Sequence, residues 1–70
     1  MSHLDREYLL KHIPDGESLA LVIVKLGMPY VEMLTDYHEQ EELITFEVYL
    51  VDNYPDEAEQ IVTAAPYLTN

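Results

Sequence analysis

Hydrophobic and polar residues alternate most regularly in Leu43-Ile44-Thr45-Phe46-Glu47-Val48-Tyr49-Leu50-Val51, where Ile44, Phe46, Val48 and Leu50 fall at every second position. A period of two is the signature of a half-buried strand. The run Leu19-Ala20-Leu21-Val22-Ile23-Val24-Lys25-Leu26 has only Lys25 as a polar residue and reads as a strand apolar on both faces. Between them, Tyr30 to Tyr37 alternates more loosely, with Glu32 and Asp36 on one side and Val31, Met33 and Tyr37 on the other. The pattern predicts three strands of one small sheet.

Helical signals flank this stretch. Residues Ser2 to Ile13 carry a broad apolar face of Leu4, Tyr8, Leu9 and Ile13; Ser2 suits the N-cap, with Asp5 three residues on, and Pro14 stops the helix. Pro14-Asp15-Gly16 and Gly27-Met28-Pro29 are turn chemistry, and His38-Glu39-Gln40-Glu41-Glu42 reads as a polar loop. Pro55 suits the first position of a second helix whose inward stripe is Ala58, Ile61, Val62 and Ala65, ended by Pro66. The expected fold is α+β, a three-stranded antiparallel sheet flanked by an N-terminal and a C-terminal helix (αβββα). Double-stranded RNA-binding domains share this element order. Where they place lysines, at the start of the last helix, this chain has Asp56, Glu57 and Glu59, so no family is assigned.

The alternative is all-α. Leu26-Gly27-Met28-Pro29 also fits a helix C-terminus with Gly27 at C′, which makes Val22 to Asp36 an αα-corner. Against it stand the β-branched residues Val22, Ile23 and Val24, and the position of Glu47 amid Leu43, Phe46 and Leu50.

Composition narrows the picture. Seventy residues make one domain (1–70) near the lower limit for building a core. No cysteine is present to form a disulfide or a thiolate metal site. No apolar run approaches the roughly 20 residues of a membrane span. The N-terminus lacks the pattern of a signal peptide, and a cytoplasmic location is expected. The net charge is −11, and its distribution is lopsided. Arg6, Lys11 and Lys25 stand among Asp5, Glu7, Asp15 and Glu17, whereas no Lys or Arg follows Lys25. The later acids are Glu32, Asp36, Glu39, Glu41, Glu42, Glu47, Asp52, Asp56, Glu57 and Glu59. Such a field repels phosphate backbones and attracts basic surfaces, which argues against direct nucleic-acid binding.

Catalytic chemistry has little to draw on. Ser2 and Ser18 are the only serines, and two glycines cannot make a phosphate loop. Asp36 to Glu42, with His38 among carboxylates, is the one stretch to weigh as a metal site, and a solvated loop is the default. No cofactor and no enzyme activity are expected. The six tyrosines suit an interface, Tyr49 above all, because it lies beside Glu47 on the strand face opposite Phe46 and Leu50.

The sequence thus describes a small acidic regulator or inhibitor that docks on a basic surface of a partner protein. A partner that binds nucleic acid, whose ligand's charge the chain imitates, fits this reading, in the manner of phage-type inhibitors. The expected binding residues are Glu32, Asp36, Glu39, Glu41, Glu42, Glu47, Tyr49, Asp56, Glu57 and Glu59. An accessory subunit, acidic only for solubility, is the alternative. A strand with two apolar faces leaves one uncovered by the helices, from which a homodimer is expected. If Asp36 to Glu42 is solvated, chelator and added Mn²⁺, Zn²⁺ or Ca²⁺ leave the melting temperature unchanged. A stabilisation by metal that disappears in His38→Ala overturns that expectation.

Overall fold

The computed structural model describes residues 5–41 and 43–69. Among them the chain forms five helices and no strand: α1 (Arg6–His12), α2 (Gly16–Leu26), α3 (Met28–Gln40), α4 (Phe46–Asn53) and α5 (Pro55–Leu68). The αβββα sheet is therefore corrected to the all-α alternative.

The three expected strands fail for separate reasons. Leu19, Val22 and Ile23 are buried, and Leu26 packs half-buried against the same core, so the run follows the helical spacing i, i+3, i+4, i+7. Ala20, Leu21 and Val24 fill the gaps with apolar residues and hide that spacing; Leu21 is 42% and Val24 69% exposed. Three β-branched residues in a row cost only tenths of a kcal/mol each in a helix, about 0.7 at most, whereas each buried aliphatic side chain contributes roughly 1.5–3. Burial wins. In the second segment, Tyr30 is buried while Met33, Leu34 and Tyr37 are half-buried, again at helical spacing. The expected polar loop after it begins too early, since α3 continues to Gln40 and ends on Glu41 in the left-handed region (φ 53°). In the third, the alternation is cut short because Leu43 and Ile44 precede the helix. Thr45 caps α4 by accepting from the Val48 N–H at 3.4 Å. Leu43 is fully exposed and lies before the helix, so it does not enclose Glu47, which is half-buried.

The α2–α3 corner turns on Gly27. Its N–H closes α2 on the Ile23 carbonyl at 3.1 Å, and its own carbonyl accepts from Tyr30 N–H at 3.1 Å to open α3. At φ 108° only glycine sits without strain. Pro29 then occupies the first turn of α3, where a missing N–H costs nothing.

The flanking helices hold with adjusted ends. Asp5 is itself the N-cap of α1, accepting from the Tyr8 N–H at 2.8 Å; the expected cap Ser2 and the apolar Leu4 lie outside the described residues. Pro66 does not end α5, which runs through it to Leu68 and closes with Thr69 N–H on the Ala65 carbonyl at 3.0 Å. Ala58, Ile61 and Ala65 are buried as expected, and α5 packs against α1, α2 and α4, with α3 laid on α2 and α4. The two-faced strand that called for a homodimer does not exist; what remains outside is the helical edge of Leu21 and Val24.

Substitution at neighbouring positions separates helix from strand. Ile23→Ala should cost about 2–5 kcal/mol in urea unfolding. Val24→Ala should be neutral or stabilising by a few tenths, roughly the propensity difference in a helix. A marked loss at Val24 as well would mean that both faces of the run are buried.

Candidate functional site

On α3, Glu32, Asp36 and Glu39 fall at i, i+4 and i+7 and are all exposed, forming one acidic stripe opposite buried Tyr30. Glu41 is exposed at the end of the helix, and Glu42 lies outside the described residues. Asp56 is exposed and Glu57 half-buried in the first turn of α5, where the helix dipole favours anions; Glu59 is half-buried one turn on.

The expectation for Tyr49 is corrected. It is 2% exposed, because a helical α4 turns it inward with Leu50 and Val51. Its ring lies 5.3 Å from that of Tyr37 and 5.9 Å from that of Tyr54, and Phe46 joins the cluster 5.2 Å from Tyr37. The Tyr49 hydroxyl accepts from Gln40 Nε2 at 3.1 Å. Burial pushes the Tyr49 phenol above its ordinary pKa, with Tyr54 and the Asp36 charge adding to the effect. Tyr30 donates to Gln60 Oε1, tying α3 to α5, and its pKa is raised by burial and by the Glu57 charge. Asp36 and Glu57 thus sit near the hydroxyl ends of a tyrosine seam between α3 and the α4–α5 pair. The i, i+3 spacing of Phe46 and Tyr49 is the signal in the sequence that could have placed Tyr49 inside.

Glu47 belongs to a different place. It borders an open apolar groove of about 250 Å³ between α2, α3 and α4, together with Leu19, Ala20, Leu34, Tyr37 and Phe46. His38 is also at this groove. The Tyr37 hydroxyl donates to the Ile44 carbonyl and holds the connection before α4 against α3.

Two of the cations have structural work. Arg6 Nε reaches Asp52 Oδ1 at 2.7 Å and Nη2 reaches Oδ2 at 3.4 Å, joining α1 to α4. This hydrogen bond holds the Asp52 carboxyl below its ordinary range. Lys25 Nζ donates to the Leu68 carbonyl at 2.8 Å, a cation at the negative end of α5. The helices α3, α4 and α5 carry no Lys or Arg.

Among the described residues no group of three or more His, Cys, Asp or Glu side chains converges to hold a metal ion, and Asp36, His38 and Glu39 spread around the end of α3. No helix of the described residues is long and apolar enough to cross a membrane. No family model matches the chain, nor does a curated protein or a solved structure.

An alkaline titration followed by tyrosinate absorbance should show Tyr30 and Tyr49 ionising later than an ordinary tyrosine at about 10. Each late component should disappear in Tyr30→Phe or Tyr49→Phe. A phenol whose folded pKa is raised contributes stability that is present below the unfolded value and is lost as pH rises through the folded one. Unfolding free energy should therefore fall with pH above about 10, less steeply in the double Phe variant. Late components that persist in both variants would place the burial elsewhere.

Proposed function

We propose that this chain is a protein-binding regulator that presents an acidic face to a basic surface of a partner protein, in the cytoplasm. The observation that carries the reading is the α3 stripe. Glu32 and Asp36 stand at i, i+4 and Asp36 and Glu39 at i, i+3, all exposed. Like charges at those spacings destabilise a helix by roughly 0.2–0.5 kcal/mol per pair. Glu39 and Glu41 also crowd the C-terminal end of α3, where the dipole prefers cations, and only His38 is basic in that last turn. Acids needed for solubility alone work equally well scattered. Aligned at a cost to the free helix, they are relieved when cations of a partner come to lie along them.

A partner whose basic surface holds nucleic acid suits a chain that carries an unbroken acidic sign from α3 to the end of α5. The groove at Glu47 is mainly apolar, which suits binding of apolar side chains.

The test is reversal of the stripe. Glu39→Lys alone should raise the stability of the free protein by about 0.3–1 kcal/mol, because it places a cation at a helix C-terminus. The triple variant Glu32→Lys, Asp36→Lys, Glu39→Lys should stay helical by circular dichroism yet lose a partner that the wild type retains at low salt and releases at high salt. Duplex DNA should compete for that partner. Retention that ignores salt, DNA and the triple reversal would instead support the accessory-subunit reading.

A further inference from the structure

We propose that the groove between α2, α3 and α4 seats the apolar side chains of a basic amphipathic segment of the partner, which deepens the basic-surface reading above and rests on it. The groove measures about 250 Å³ and is lined mostly by Leu19, Ala20, Leu34, Tyr37 and Phe46. That volume is below the roughly 300–1,000 Å³ of sites that enclose drug-sized ligands. It suits one or two aliphatic or aromatic side chains entering from an open side.

The charge around the groove selects the occupant. Glu47 is part of the lining, and Gly16, which also lines the groove, is flanked in sequence by exposed Asp15 and Glu17. No Lys or Arg lines it. On α2, exposed Val24 lies one turn from Ala20 on the same side of the helix. An apolar slot within an acidic margin is complementary to Leu or Phe anchors interspersed with Lys and Arg, the pattern of a basic amphipathic helix. A second copy of this chain is a poor match. It brings a net charge of −11 to an acidic margin, and two of its three bases are engaged, Arg6 with Asp52 and Lys25 with the Leu68 carbonyl.

Three synthetic peptides test this by calorimetric titration: a Lys- and Leu-rich amphipathic helix, the same peptide with Leu changed to Ser, and the same peptide with Lys changed to Gln. The first should bind about tenfold or more tighter than either control, as expected when a buried anchor and a charge act together. Ala20→Phe, which fills the groove from an exposed position, should abolish that advantage while leaving binding of the Ser peptide unchanged. Glu47→Lys should weaken the Leu peptide more than the Ser peptide, because only the Leu peptide is seated in the groove beside Glu47, and this difference decides the matter if Ala20→Phe does not fold. Equal binding of the Leu and Ser peptides, unaffected by Ala20→Phe, would overturn the groove proposal while leaving the basic-surface reading in place. Failure of both Lys-containing peptides to bind would remove that reading and the groove proposal together. Equally tight binding of the Gln peptide, or a wild-type dimer in sedimentation that Ala20→Phe converts to a monomer, would overturn the assignment of a basic occupant.

Discussion

The packing of α2 on α5 is the contact on which the rest of the structure depends. Leu19, Val22 and Ile23 from one helix and Ala58, Ile61 and Ala65 from the other belong to a single buried cluster, joined by Leu9 of α1, Ile13 just after it, Tyr30 of α3 and Leu50 and Val51 of α4. A chain of 70 residues without a disulfide has little else to oppose its conformational entropy. Small residues at Ala58 and Ala65 leave α5 slim enough for three neighbouring helices to lie close to it. Most other features either bring these two helices together or are placed by them.

The local devices serve that end economically. Gly27 closes one helix and opens the next within a single residue, so α3 folds back on α2 without a loop. Asp5 and Thr45 cap helices of seven and eight residues that are too short to persist alone. Lys25 fastens the end of α2 to the end of α5, and Arg6 fastens α1 to α4. These contacts employ two of the three cations in the first two helices and leave the outer surface of α3 to a single sign of charge.

That division connects fold to function. All of the Lys and Arg lie in α1 and α2, the acidic helices α3, α4 and α5 carry none, and both halves of the chain contribute buried aliphatic side chains to the core. Aligned acids on α3 and the apolar groove beside Glu47 are both arrangements that the isolated molecule leaves incompletely satisfied, one by repulsion and the other by exposed apolar area. The basic partner with apolar anchors proposed above would relieve both.

What the sequence determined by itself was whatever depends on residue identity or on strong local chemistry. The one-sided charge, the breaks at Pro14, Gly27 and Pro55, and the inward stripe of Ala58, Ile61 and Ala65 were all legible, because polar residues around that stripe give it contrast. So was the exposure of Glu32, Asp36, Glu39, Glu41 and Asp56, which follows from their charge. The helical state of Leu19–Leu26 was not. Ala20, Leu21 and Val24 make every position from Leu19 to Val24 apolar, and a uniform run carries no period to read. Around Phe46 the every-second-residue pattern of Ile44, Phe46, Val48 and Leu50 masked the helical spacing of Phe46, Tyr49 and Leu50, and Ile44 ends up outside the helix. Only the tertiary structure decided these segments, and with them the burial of Tyr49, the position of Glu47 at a groove and the pairing of Arg6 with Asp52. The reason is one of magnitude: local propensities differ by tenths of a kcal/mol per residue, whereas the choice of which side chains share a core is worth roughly 1.5–3 for each one buried.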